Sequence, residues 1–298
     1  MKHGTWPGLP LKEWQSTYDT LHMWTQIAGK IRLALSPHVN HWWQTALYVV
    51  PRGLSTSPIP YGTREFEMTF DFISHQLTVV TSEGAMRSLP LAPKSVAVFY
   101  REVLELLRGL DIAVQLNPKP QEYPNPIPFD QDETHASYDP DYAERHWRVL
   151  LQAQRLMSQF RGGFIGKCSP VHFFWGSFDL AVSRFSGRKA PERPEAGIIT
   201  REAYSHEVSS CGFWPGSGNV EDAAFYAYFS PEAPGFKNNS RIPAPAFYNP
   251  ATQGYVLMYD EVRKSPDPDR MVLDFFQATY ELGAELSQWD REGLERRP

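Results

Sequence analysis

Ser169-Pro-Val-His-Phe-Phe-Trp-Gly-Ser-Phe-Asp-Leu-Ala-Val-Ser-Arg-Phe-Ser-Gly-Arg188 is the stretch on which the reading of the fold turns. It opens on a Ser-Pro break and runs from Val171 to Val182 with almost no turn signal, which predicts one long, deeply buried strand. Yet it carries His172, Trp175, Ser177 and Asp179. Polar groups inside an apolar strand must be hydrogen-bonded or they cost about 1–3 kcal/mol each. A strand that keeps several lines a site or belongs to an internal polar network, and the site is the better reading. Regular alternation puts His172 on a face with Phe174, Gly176 and Phe178, and Asp179 on the other with Phe173, Trp175 and Ser177. A bulge at Gly176 would reset those faces, and a glycine there admits a ligand or a second backbone.

Outward from this stretch the chain shows one order of elements twice. A helix carrying Trp14, Tyr18, Leu21, Trp24, Ala28, Ile31 and Leu35, with Ser16 or Thr17 as its cap, ends at Ser36-Pro37. Alternating strands follow over 41–50, 64–73, 76–81 and 85–89, and an amphipathic helix over 93–110 closes the unit. After a proline-rich acidic connector, Asp139-Pro-Asp141 signals a second long helix, with Asp as cap and Pro in the first turn. The quoted stretch comes next, then strand-like segments over 208–213, 223–229, 244–248 and 255–259. A last helix opens on Asp267-Pro-Asp269.

The expectation is an α+β protein of two tandem helix–antiparallel strands–helix units, a duplication packed into one compact body. The first unit spans residues 1–117, the connector 118–138 and the second unit 139–298. Ser36-Pro37 matches Ser169-Pro170, His41-Trp-Trp43 matches His172-Phe-Phe174, and Phe99-Tyr100 matches Phe275-Phe276. From Ser36 to Phe99 is 63 positions and from Ser169 to Phe275 is 106, so the second copy carries 43 more, mainly over 185–245. Long structured insertions tend to be functional, which directs the search for a site to copy two.

The quoted stretch, together with Tyr204-Ser-His-Glu-Val-Ser-Ser-Cys-Gly-Phe-Trp-Pro215, the Leu21–Ala34 helix and Asn40-His-Trp-Trp43, resembles an uncharacterised bacterial family filed as a domain of unknown function. The resemblance covers nearly the whole chain. It implies no activity, so chemistry has to be read from the residues.

Composition narrows the classes. With 298 residues, 42% hydrophobic and 21% charged, the chain can bury a sizeable core. A mean hydropathy of -0.43 and the lack of a long apolar run argue against a membrane span, and the polar first ten residues against a signal region. Two cysteines, Cys168 and Cys211, suit a reducing, cytoplasmic setting. A net charge of -5 with scattered basic residues argues against nucleic acid as a partner. Aromatic residues at 14% point to aromatic-lined interior space.

The leading functional expectation is an intracellular enzyme acting on a small organic molecule in an aromatic-lined pocket of the second unit. His172, His206, Glu207 and Asp179 are the candidate catalytic groups, the histidines for proton transfer and the carboxylates to orient them. Trp175, Ser177, Tyr204 and Trp214 are candidate ligand contacts, with Arg184 a candidate anchor for an anionic group. If a metal is bound, His172, His206 and Glu207 are its candidate ligands, with His41 or Cys168 as further possibilities, although no HxH, HxxxH or CxxC spacing occurs. Dinucleotide, P-loop and GxSxG motifs do not occur either. His22, Gln26 and Lys30 form a polar edge on the first helix that is either a solvated face or the border of a cleft. A non-catalytic small-ligand binder or sensor, or an oligomeric partner-binding protein, is the alternative. A degenerate second site near His41 stays open.

Overall fold

The structure, a computed structural model, describes residues 4–217 and 220–296. Its longest element is α1 (Leu11–Leu35), buried over most of its surface by Trp14, Tyr18, Leu21, Trp24, Ile27 and Ile31. The helix starts earlier than the expected Ser16 or Thr17 cap. The free backbone N–H of Leu11 is satisfied from the far end of the chain, by the Asp222 carboxylate at 2.8 Å, a partner no local signal announces. It stops at Ser36, which the following proline forces into an extended conformation.

The expected strand over 41–50 shrinks to its last residues. Asn40–Thr45 is a short 3-10 segment in which His41 and Trp42 sit in the left-handed region, φ 59° and 61°. Thr45 Oγ1 donating to the Trp42 carbonyl at 2.9 Å helps close this turn. There follow β1 (Tyr48–Val50), β2 (Gly53–Ser55), β3 (Ile59–Tyr61), β4 (Arg64–Asp71), β5 (Gln76–Thr81), β6 (Met86–Pro90) and α2 (Val96–Arg108). The strands form an antiparallel sheet in the order β1-β2-β4-β5-β6, with β3 also on β4.

The connector leads to α3 (Pro140–Gly162), whose Asp139 cap accepts from the N–H of Asp141 at 2.8 Å, as the sequence signals. The remaining elements are β7 (His172–Phe174), β8 (Asp179–Lys189), α4 (Ile198–Ala203), β9 (His206–Trp214), β10 (Ala224–Ser230), β11 (Phe247–Asn249), β12 (Gly254–Met258), α5 (Tyr259–Lys264), α6 (Pro268–Leu286) and α7 (Arg291–Leu294). The second sheet runs β11-β12-β10-β9-β8-β7, also antiparallel. Long helices and two antiparallel sheets make this an α+β fold. The sheets touch through their first strands: Leu47 and Phe173 exchange backbone bonds of 2.9 and 2.8 Å. Among the described residues, no helix is long and apolar enough to cross a membrane.

The stretch expected to be one strand is a hairpin. Phe178 adopts φ 60° and its N–H donates to the Phe174 carbonyl at 2.7 Å, so the chain reverses through Trp175-Gly-Ser-Phe178. His172 therefore pairs with Ala181, and Phe174 with Asp179. Directly paired residues share a face. His172 and Asp179 thus project to the same side of the sheet, opposite to what unbroken alternation gives.

Alternation decides what each face of this sheet does. Leu180, Val182, Phe213, Phe225, Phe229, Tyr255 and Leu257 are buried; Phe225 packs edge-on against Phe276 of α6, and Phe229 lies on Gly283 of the same helix. The other face carries Asp179, Ala181, Ser183, Ser210, Tyr226 and Tyr228, and it is left open.

Candidate functional site

The open face forms the floor of a cavity of about 670 Å³. Its walls come from across the chain: Lys30 and Leu33 of α1, His41 to Trp43 of the 3-10 segment, Gln121 and Glu122 of the connector, the 175–177 turn, and α4. A smaller cavity of about 320 Å³ adjoins it, sharing Glu122, Ser177, Asp179, Tyr204, Tyr226 and Tyr228 and reaching Trp214 and Val256. Both volumes fall in the range that holds small organic ligands.

Asp179 sits where the two meet, 8% exposed. One carboxylate oxygen accepts from the Ser177 hydroxyl and the other from the Tyr226 hydroxyl. Tyr226 reaches it from two strands away because Gly212, its partner on β9, has no side chain: a Cβ there would meet the Tyr226 hydroxyl. Burial pushes the Asp179 carboxyl above its ordinary range, and the two hydroxyl donors oppose that shift. Burial, then the Asp179 charge, keep Tyr226 protonated far above the ordinary phenol range. Further along the floor, Tyr204 and Tyr228 hydroxyls lie 3.0 Å apart and Ser183 donates to Ser210 at 3.1 Å.

Glu122 supplies a second carboxyl at the same junction. It lies in the connector with φ 53°, and as a whole it is exposed, but its carboxyl end turns inward over Gly176, where a Cβ would be 3.3 Å from Cδ. Among the described residues its oxygens have no hydrogen-bond partner. Enclosure, followed by the charge of Asp179, raises its pKa.

The polar edge of α1 borders this cleft. Gln26 clamps the connector by donating to the Gln121 carbonyl at 2.9 Å and accepting from the Gln121 N–H at 2.7 Å. His22 Nε2 donates to the Gly176 carbonyl at 2.9 Å, fixing the hairpin turn. This polar edge falls where α1 meets the site, and Trp175 packs on Gly29 of the same helix while its Nε1–H donates to the Thr45 carbonyl at 2.7 Å.

The residues expected from sequence scatter. Asp179, Ser177, Trp175, Tyr204 and Trp214 line the two cavities. His172 does not: it is 1% exposed, between the rings of Trp43 at 5.7 Å and Tyr48 at 5.5 Å, and burial, then Arg32 and Arg161, push its pKa down to about 3. His206 bonds to the Ser205 hydroxyl at 3.1 Å, and Glu207 accepts from Arg188 at 2.7 Å in a half-open ion pair, so strand divergence separates the two. The four expected catalytic groups therefore do not converge. Arg184 is 2% exposed on the opposite face, its guanidinium 3.4 Å from the Phe160 ring centre and 4.4 Å from that of Tyr280. Among the described residues no three His, Cys, Asp or Glu side chains are grouped as a metal ion would require, so His172, His206 and Glu207 do not form the expected ligand set.

His41 does reach the main cavity. Its Nδ1 faces the Glu202 and Ala203 carbonyls at 3.1 and 3.3 Å and must carry the proton, leaving Nε2 to accept from Lys167 at 2.7 Å. Burial and then Lys167 depress its pKa, keeping it neutral.

Glu122 and Tyr226 were missed by sequence reasoning. Glu122 lies in an aperiodic, proline-rich segment with no motif around it. Tyr226 had a signal, since Ala223 to Phe229 places Tyr226 and Tyr228 on the face away from Phe225 and Phe229.

No curated protein and no solved structure matches the chain. The profile of a family described as "Family of unknown function (DUF5996)" matches residues 6–296, in keeping with a resemblance that covers nearly the whole chain. The chain belongs to this family.

Proposed function

We propose that the protein is an enzyme that transfers protons to or from a small organic molecule held on the open face of its second sheet. One observation carries this reading: two carboxyls, Glu122 and Asp179, open onto one cavity, and only Asp179 has both oxygens engaged. Asp179 is the fixed carboxylate, held by Ser177 and Tyr226. Glu122, free at the rim, gives and takes the proton, its pKa raised toward working pH by enclosure and by its neighbour. Trp42, Trp43 and Trp175 supply apolar walls for the rest of the molecule. His172, His206 and Glu207 lie away from this pair and take no part in the step.

The reading extends to architecture and location. The helix–meander–helix order on both sides of the connector, and the reciprocal Leu47–Phe173 bridge, support residues 1–117 and 139–298 as two copies of one unit. Two unpaired cysteines support a cytoplasmic setting.

The test is to incubate the protein with a small-molecule extract and follow every component by mass spectrometry. Wild type should convert at least one component, and Glu122→Gln and Asp179→Asn should each abolish that conversion while remaining folded. A component retained on the protein but never converted would establish the binder instead. Conversion that survives both substitutions would overturn the assignment of the pair.

A further inference from the structure

The row His22, Gln26, Lys30 ends in a charge that no described residue pairs with. His22 is spent on Gly176 and Gln26 on Gln121, but the Lys30 ammonium makes no hydrogen bond or ion pair among the described residues. The residue is only 7% exposed, and it lines the main cavity. Nζ lies over the Phe129 ring, 5.9 Å from its centroid. Burial holds its pKa below the ordinary lysine range. An ammonium screened from bulk water is costly unless something pairs with it, and none of the described residues does so. Glu122 and Asp179 lie on the same cavity without forming an ion pair to it.

We propose that Lys30 anchors the oxyanion of the cavity's ligand, so that the molecule acted on is an organic acid with an apolar or aromatic body. The charges then orient it. Its acidic group is drawn to Lys30 and repelled by the carboxyl pair, while Trp43 and Trp175 cover the body between. The end away from the acid is presented to Glu122. This inference rests on the cavity being the substrate site, but it concerns equilibrium binding and not turnover.

The experiment compares 3-phenylpropionate with 3-phenylpropanamide, matched in body and differing in charge, by titration calorimetry near pH 7. The acid should bind wild type on the order of tenfold tighter or more, as a charge-assisted bond in a shielded site provides. Lys30→Met should erase the preference while amide binding persists, and Lys30→Arg should restore it. Glu122→Gln should keep it. Equal binding of acid and amide to wild type would overturn the proposal without touching the carboxyl pair. So would a preference that survives in Lys30→Met, or no binding of either probe.

Discussion

Replacing Gly29 by alanine tests whether α1 positions the site. In a helix interior this change ordinarily stabilises by about 0.5–1 kcal/mol, because glycine has more backbone freedom to lose. Here the added Cβ would lie 2.5 Å from Cε2 of Trp175 and closer still to Cδ1 and Nε1. The indole has to move. It is 7% exposed and held by the 2.7 Å bond from Nε1 to the Thr45 carbonyl. Overpacking of this kind costs about 1–3 kcal/mol, and loss of the indole bond about 1 kcal/mol more. These terms exceed the propensity gain, so Gly29→Ala should destabilise by about 1–3 kcal/mol. Urea unfolding gives the stability, and the Trp175 indole N–H resonance reports whether the ring is displaced. A variant stabilised by 0.5–1 kcal/mol with that resonance unmoved would refute the packing account.

Two further substitutions probe buried polar groups. His146 is 1% exposed between Trp14 and Phe178, with neither ring nitrogen partnered, and burial pushes its pKa down to about 3. The unfolded chain takes up this proton near pH 6.5 and the folded one does not, so stability falls as pH drops between those values; His146→Phe should flatten the unfolding free energy against pH by about 1.4 kcal/mol per pH unit below 6.5, and an unchanged slope would count against it. Tyr226→Phe removes one of the two hydroxyls on Asp179. Because that bond favours the charged carboxylate, the loss of about 1.5–3 kcal/mol should appear at pH 8 and shrink in acid where Asp179 is protonated; equal loss at both would show that the hydroxyl is not paired with a carboxylate.

The sequence was most readable where local physics decides. Asp-Pro-Asp at 139 and 267 marked two helix starts because capping is a short-range bond, and the strand-like segments over 208–213 and 223–229 marked the central strands β9 and β10 of the second sheet. The hairpin at 175–178 was invisible as such. Its residues, Trp-Gly-Ser-Phe, are apolar enough to read as strand, and its reversal depends on Phe178 taking a left-handed conformation that few bulky residues adopt. That one turn inverted the relation between His172 and Asp179. The site was legible in part for the same reason. Asp179, Trp175 and Ser177 stand beside the turn and announce themselves as polar or bulky residues in an apolar run. Glu122 stands at the cavity beside the Gln26 clamp on Gln121, a contact across 95 positions, and a tertiary contact of that kind leaves no periodic trace.

If Glu122 and Asp179 act as one coupled pair on a shared cavity, the coupling is visible in the titration of the Glu122 side-chain carboxyl carbon by ¹³C NMR, in wild type and in Asp179→Asn. The midpoint should lie above the ordinary glutamate range in wild type and fall toward that range once the Asp179 charge is removed. An ordinary midpoint in wild type, or a raised one indifferent to Asp179→Asn, would contradict it.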